Sequence, residues 1–205
     1  MRPFVKICGI TRIEDAECAI KAGADALGFI TFKKSPRYIS PQNTAKIISQ
    51  LSKKIPTVAV TVNEPAESIN EYLDAGIDII QFHGDETMEE INAVGGKKWK
   101  ALRLHQSDQI HLSEIYDVEM FVIDSFVKDS TIPGGTGKKA DWDLAAEFVK
   151  QSSTKVLLAG GISAANAEEA MQKISPYGLD LSSGVEIEPG IKSAEKINAF
   201  FEGLK

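Results

Sequence analysis

The residues best suited to chemistry are one cysteine and one aspartate, each of which ends an apolar run. Cys8 ends the run from Phe4, and Asp124 ends MFVID. A thiolate is a nucleophile or a base, and a carboxyl group can deliver or accept a proton. The pair predicts acid–base chemistry on a small molecule. The structural alternatives are a buried, inert thiol for Cys8 and a helix cap or loop ion pair for Asp124.

Two turns near the end of the chain predict a phosphate site. KVLLAGGIS contains Gly160 and Gly161, and LDLSSGVE contains Ser182, Ser183 and Gly184. Glycines let the backbone approach an anion, and the serines add hydroxyls. A helix that begins after each turn would direct its positive end at the same anion. We therefore expect a phosphorylated ligand at these two turns.

Further polar residues could complete the site. Arg37 lies in the proline-bounded stretch SPRYISP and is a candidate second anion anchor, with an ordinary surface arginine as the alternative. Lys6 and Asp180 share strand faces with Cys8 and Ser182. They could pair inside the fold and favour the thiolate, or Lys6 could extend to the lower rim.

No metal or nucleotide motif accompanies these residues. His83, His105 and His111 do not form a convincing metal site. The GGTG at 134–137 lacks the following Lys-Ser or Lys-Thr of a nucleotide-binding phosphate loop and does not lie directly between a strand and a helix. Cys18 has no activating neighbour, so we interpret it as structural. We expect no cofactor and no metal.

The elements that must position these residues are eight strand–helix pairs. Such alternation predicts a single-domain α/β fold over residues 1–205, a (β/α)8 TIM barrel with its active site at the carboxyl ends of the strands. The predicted strands are Phe4 to Cys8, Ala26 to Ile30, Thr57 to Val62, Asp78 to Phe82, Trp99 to Leu104, Met120 to Asp124, Lys155 to Ala159 and Leu179 to Ser182.

Helix starts and one long loop follow from local patterns. Thr11 with Glu14 predicts a capping box, Ser40-Pro41 predicts a cap with a first-turn proline, and Asp85 and Ser193 are candidate caps. Helical periodicity is weak after His105. The glycine-rich segment from Phe126 to Ala140 has no apolar periodicity and predicts a loop over the top face.

Composition excludes several classes of protein. The 205 residues are 43% hydrophobic and 25% charged, with a net charge of -6, so the chain can bury one large core and has no basic surface for nucleic acid. No apolar run reaches membrane-spanning length, and the first residues lack a signal-peptide core. Two cysteines form no disulfide framework, which favours a reducing cytoplasm. We expect a small-molecule enzyme, monomer or homodimer.

Motifs along the whole chain resemble those of the phosphoribosylanthranilate isomerase family of tryptophan biosynthesis. They occur in the family's order: KICGIT at 6–11, GFITFKKSPRYISP at 28–41, VNEP at 62–65, QFHGDE at 81–86, GGTG followed by Asp141-Trp142, LAGGI at 158–162 and DLSSGVE with PG at 180–190. Phosphate turns alone are shared by many barrels. KICGIT, SPRYISP and SSGVE together are specific to this family.

The resemblance implies a cofactor-free Amadori rearrangement of a phosphoribosylated anthranilate. It would make Asp124 the general acid that opens the ribose ring and Cys8 the base that removes the C2 proton. Arg37 would hold the anthranilate end, with His83 lining the site. The family's phosphate loops fall on Gly160, Gly161, Ser182, Ser183 and Gly184.

Three positions depart from the family pattern, namely Thr31, Thr61 and Ala140, and they concern packing at the mouth. Competing barrel enzymes fit less well. A two-aspartate sugar isomerase would have aspartate in place of Cys8, a pentose-phosphate epimerase would need metal ligands, and an indoleglycerol-phosphate synthase would need further lysine and glutamate motifs. A non-catalytic phosphosugar-binding barrel is the alternative from another class.

Overall fold

Eight parallel strands close into a barrel in the order of the chain. The structure is a computed structural model that describes residues 2–124 and 142–204. Its barrel strands are β1 Phe4–Cys8, β2 Ala26–Ile30, β3 Thr57–Thr61, β4 Ile79–Phe82, β5 Lys97–Leu102, β6 Met120–Ile123, β7 Lys155–Leu158 and β8 Gly178–Leu181. The predicted (β/α)8 barrel is confirmed, with strand ends displaced by one or two residues.

The barrel closes where β1 pairs with β8, which sets Lys6 opposite Asp180. In the described parts of the chain, eight helices cover the barrel: α1 Ile13–Ala22, α2 Pro41–Gln50, α3 Ala66–Asp74, α4 Met88–Asn92, α5 Leu112–Ile115, α6 Trp142–Gln151, α7 Ala167–Ile174 and α8 Ala194–Gly203. A two-stranded hairpin of β9 Glu186–Glu188 and β10 Ile191–Lys192 precedes α8.

Two of the predicted helix caps are confirmed. Ser40 accepts the backbone N–H of Asn43 ahead of Pro41, and Ser193 accepts that of Lys196. Each hydroxyl replaces an intrahelical acceptor that the first turn lacks.

The other two predicted caps are wrong. The N-cap of α1 is Arg12, whose side chain makes no capping hydrogen bond. Thr11 does not cap the helix because its hydroxyl donates instead to the carbonyl of Gly190. The N-cap of α4 is Thr87 rather than Asp85, and it forms a capping box with Glu90. Long-range packing redirects Thr11, and Thr87 lies closer to the helical segment.

Side chains alternate between the two faces of the barrel wall. Outward residues such as Val5, Ile7 and Leu27 pack under the helices in the larger core. The lower interior is filled by a second cluster comprising Ala26, Val58, Ile79, Trp99, Ala101, Met120, Val122, Leu157 and Ala159. Polar inward residues such as Lys6, Gln81 and Asp180 lie above this cluster, toward the carboxyl ends of the strands.

The predicted loop from Phe126 to Ala140 lies outside the described residues. The weak periodicity after His105 corresponds to a short 3-10 turn, Ser107–His111, that leads into the four-residue α5. Within the described ranges, none of the helices combines the length and apolarity needed to cross a bilayer.

Candidate active site

A cavity opens at the carboxyl ends of the strands and contains every predicted site residue. It encloses about 740 Å³, including space open to solvent. Its walls include Cys8 from β1, Arg37 after β2, His83 after β4 and Asp124 after β6, with Gly160, Gly161, Ser182, Ser183 and Gly184 after β7 and β8. Residues spread over the chain thus meet in one pocket.

Cys8 lies at the floor of this cavity with 6% of its surface exposed. Burial raises the pKa of its thiol above the ordinary value, although the Lys6 and Lys192 ammonium groups oppose the effect and Asp180 adds to it. A side chain on Gly28 would come within 2.7 Å of the Cys8 sulfur, so the glycine of β2 makes room for the thiol.

Lys6 lies one step below Cys8 on the inner face of β1 and is fully buried. Its ammonium donates to the Asp180 carboxylate at 2.8 Å. Burial lowers the pKa of Lys6, but its attraction to Asp180 and Cys8 outweighs that, so the net direction is upward. Of the two alternatives for Lys6, the structure therefore selects the internal pair.

Asp124 lies at the opposite side of the mouth and is held by His83. The His83 Nε2 and Asp124 Oδ2 atoms are 3.0 Å apart, and Gln81 reaches the other ring nitrogen at 3.1 Å. The contact joins the imidazole ring to the carboxyl group at hydrogen-bond distance. Asp124 is 3% exposed, so water competes weakly for this carboxyl group. The sequence reasoning did not assign Gln81, although it falls in the QFHGDE motif.

The two phosphate turns fit closely against each other. Gly160 and Gly161 both adopt positive φ, 78° and 71°, which favours glycine. A side chain on Gly184 would come within 2.0 Å of the Ile162 carbonyl oxygen, so this glycine permits the contact between the turns. Asn166 bridges the first turn by accepting from the Ser163 N–H and donating to the Gly161 carbonyl.

The expected helix ends differ from the prediction. After β8 there is one 3-10 turn, Ser183–Val185, and α8 begins only after the hairpin. The turn after β8 can therefore offer its own backbone amides to an anion, but not the dipole of a long helix. The Ser182 hydroxyl is buried and has no hydrogen-bond partner among the described residues, which leaves it available to a ligand.

Arg37 lies in the cavity wall, where a buried carboxylate, Glu186, holds its guanidinium. The sequence reasoning did not single out Glu186. Glu186 accepts from the Arg37 guanidinium at 2.6–3.1 Å and from Lys192 at 2.8 Å. Burial by itself would raise the pKa of Glu186, but the two cations have the larger effect, and the pKa is lowered overall. Glu186 belongs to the quoted SSGVE motif, which was the available signal; Lys192 had none.

Another buried ion pair fixes the turn that follows His83. The Glu86 carboxylate accepts from the backbone N–H groups of Asn63 and Gly84 and pairs with Lys100 at 2.7 Å. Lys100 also donates to the Gly84 carbonyl. These contacts fix the chain immediately after His83.

Over residues 2–124 and 142–204, no group of three or more histidine, cysteine or acidic side chains has the arrangement of a metal site. The residues that converge on the cavity are instead a thiol, a carboxyl group, an arginine and two glycine-containing turns. This set suits proton transfer on a substrate that carries a phosphate and a second anionic group.

The comparisons with known proteins agree on one family. The family model described as N-(5'phosphoribosyl)anthranilate (PRA) isomerase matches residues 5–203. The chain is 44% identical over 202 residues to the N-(5'-phosphoribosyl)anthranilate isomerase of Pelobacter propionicus, covering 98% of this chain and 95% of that protein. The crystal structure of phosphoribosyl anthranilate isomerase from Thermus thermophilus superposes with a TM-score of 0.89 at 35% identity, with 98% of each chain covered. Another such isomerase, solved in complex with reduced 1-(o-carboxyphenylamino)-1-deoxyribulose 5-phosphate, gives a TM-score of 0.83 at 29% identity and the same coverage.

Proposed function

The chain belongs to the N-(5'-phosphoribosyl)anthranilate isomerase family, and we propose that Cys8 and Asp124 divide the acid–base work of its reaction. The enzyme is an isomerase of tryptophan biosynthesis. It converts N-(5'-phosphoribosyl)anthranilate into 1-(2-carboxyphenylamino)-1-deoxy-D-ribulose 5-phosphate, an Amadori rearrangement. The observation that carries the division of roles is that both groups line one cavity together with the phosphate turns.

Asp124 is the general acid of the first step. It gives a proton to the ribose ring oxygen while the bond from that oxygen to C1 breaks and the anthranilate nitrogen forms a double bond to C1. The product is an open-chain Schiff base. The contact with His83 supports this role because it fixes the position of the carboxyl group.

Cys8 is the base of the second step. Its thiolate removes the proton from C2, and the electron pair moves toward the C1–nitrogen double bond to give an enolamine. Transfer of a proton to C1 and loss of one from the C2 hydroxyl then yield the ketone. Cys8 ends β1 and Asp124 follows β6, and these strands are three positions apart around the ring, so a substrate lying across the mouth meets one group on each side.

Two anion anchors orient the substrate. The phosphate binds to the turns formed by Gly160, Gly161, Ser182, Ser183 and Gly184, and Arg37 holds the anthranilate end. Glu186 occupies the Nε side of the guanidinium, which leaves the remaining Arg37 N–H donors for a carboxylate. His83 lines the site between them.

Turnover of single-site variants tests the division of roles. Cys8→Ala and Asp124→Asn should each lose about 10²–10⁴-fold in kcat while keeping most of their affinity for the product, since each removes one proton-transfer group. Cys18→Ala, which alters the half-buried thiol of α1, serves as the control. The assay follows loss of substrate fluorescence, with and without a chelator. A Cys8→Ala enzyme of near-normal rate would remove the proposed base.

The remaining properties are proposals of the same kind. We propose one domain over 1–205, no cofactor, no nucleic-acid partner, and a monomer or homodimer in the cytoplasm. The free thiols of Cys8 and Cys18 support the reducing compartment. Growth of a tryptophan-requiring strain that lacks only this isomerase tests the activity in cells, and sedimentation of the purified protein distinguishes the two oligomeric states.

A further inference from the structure

Lys192 is a buried cation that neither proton-transfer step uses. It ends β10 with 3% of its surface exposed. Its ammonium donates to the backbone carbonyl of Cys8 at 2.5 Å, to that of Ser182 at 3.4 Å and to the Glu186 carboxylate at 2.8 Å. All three partners are acceptors, and a protonated amine has three hydrogens to donate. Burial lowers the pKa of Lys192 below its ordinary value, although Glu186 and Cys8 oppose the effect. The short contacts with the Glu186 carboxylate and the Cys8 carbonyl are those of the charged form.

The charges around Lys192 do not balance. Arg37 and Lys192 share the single carboxylate of Glu186, and Asp15, which accepts the Lys192 backbone N–H, is paired with Arg12. Among the described residues this leaves one excess positive charge under the cavity floor. A buried excess charge is costly unless an anion lies nearby.

Cys8 is the group placed to supply that anion when its thiol ionises, since the Lys192 ammonium contacts its backbone carbonyl. The charged groups that act on the thiol are Lys6 from β1, Asp180 from β8 and Lys192 from β10, while Arg37 passes beside Gly9. His83 and Asp124 line the same cavity from β4 and β6. Lys6 is matched by Asp180, so the excess charge next to the thiol comes from the cluster that contains Lys192.

We propose that Lys192 is a positioning residue for this isomerase. It ties the upper ends of β1 and β8 to Glu186 and supplies the positive charge that stabilises the Cys8 thiolate. The inference rests on the proposed role of Cys8 as base. Lys192 touches no reacting atom and acts through Cys8.

The rate at which iodoacetamide labels Cys8 measures thiolate content in the full-length enzyme. Every variant is made in a Cys18→Ala background so that one thiol reacts. At a fixed pH below the thiol pKa, Lys192→Met should label about ten-fold more slowly, because loss of an opposite charge within about 4–6 Å raises a pKa by a unit or more. Glu186→Gln removes the shared counterion and should label faster than wild type.

The labelling rate should change in opposite directions in Lys192→Met and Glu186→Gln, and this difference distinguishes an effect of charge from an effect of packing. Loosened packing would expose the thiol and accelerate labelling in both variants. Lys192→Arg keeps the charge and should label at close to the wild-type rate. Lys100→Met is the matched control, since it breaks another buried lysine–glutamate pair, of 2.7 Å, and should leave the labelling rate of Cys8 unchanged.

Turnover gives a second readout. The kcat of Lys192→Met should fall about ten-fold at neutral pH and recover as pH rises, whereas a purely structural defect would persist at all pH values. Unchanged or faster labelling of Cys8 in Lys192→Met would overturn the inference. If Lys192→Met does not fold, Glu186→Gln provides the test, and slower labelling in that variant would overturn the inference. Labelling needs no substrate, so it tests the effect of Lys192 on the Cys8 thiol independently of turnover. An active Cys8→Ala enzyme would refute the proposed role of Cys8 as the base and would leave the labelling result unaffected.

Discussion

Lys6→Met should be one of the most destabilising single substitutions on the inner face of the barrel. Lys6 and Asp180 are 2.8 Å apart, with side chains 0% and 7% exposed. Their gross attraction is about 6 kcal/mol at an effective dielectric constant of about 20. Desolvation cancels much of that gain in the intact pair. Removing one partner nevertheless costs about 3–5 kcal/mol, since an uncompensated charge stays buried.

A double substitution and an exposed pair provide the controls. Lys6→Met combined with Asp180→Leu removes both charges and should recover most of the loss, because buried pairs are often replaceable by apolar residues. Lys173→Met breaks a pair of the same 2.8 Å length whose side chains are 47% and 85% exposed, and should cost less than about 1 kcal/mol.

Urea unfolding followed by tryptophan fluorescence measures these losses as shifts of the midpoint at constant slope. The reasoning fails if Lys6→Met costs no more than Lys173→Met, or if the double variant is as unstable as the single one.

Three further perturbations test the site. Gly184→Ala should raise KM at least about ten-fold, because a β-carbon 2.0 Å from the Ile162 carbonyl oxygen would push the two phosphate turns apart. The control is Gly95→Ala, where nothing lies within 4 Å of the added carbon, and its KM should be unchanged. Equal KM values for the two variants would contradict the placement of the phosphate. Burial raises the pKa of Cys8, so the rate at which iodoacetamide labels it should still increase about ten-fold per pH unit at pH 8.5, the ordinary thiol pKa being about 8.5. A labelling rate that levels off below that pH would show that the thiolate is already formed and would contradict the raised pKa. The lowered pKa of Glu186 means that its contribution to stability is present above the ordinary value of 4.5 and lost as pH falls through the lower folded value. Glu186→Gln should therefore be less stable than wild type at neutral pH and equally stable in strong acid by urea unfolding, and a constant difference at all pH values would contradict this linkage.

The sequence predicted the elements and the positions at which they end. Apolar runs of strand length, interrupted by helical segments, specify eight strand–helix units because side-chain periodicity is local. The same local reasoning placed Cys8, His83 and Asp124 at strand ends and identified the glycine turns. It failed for the cap of α1, since the hydroxyl of Thr11 is taken by Gly190, a residue far along the chain.

The tertiary structure decided which charges meet. Lys6 and Asp180 are 174 residues apart, Arg37 and Glu186 are 149 apart, and Lys192 lies 184 residues from Cys8. Residue types and alternation left Lys6 with two alternatives and gave no role to Lys192. Closure of the barrel between β1 and β8 removes that freedom, because it buries these groups where water cannot solvate them and each charge must be met by a residue from a distant strand.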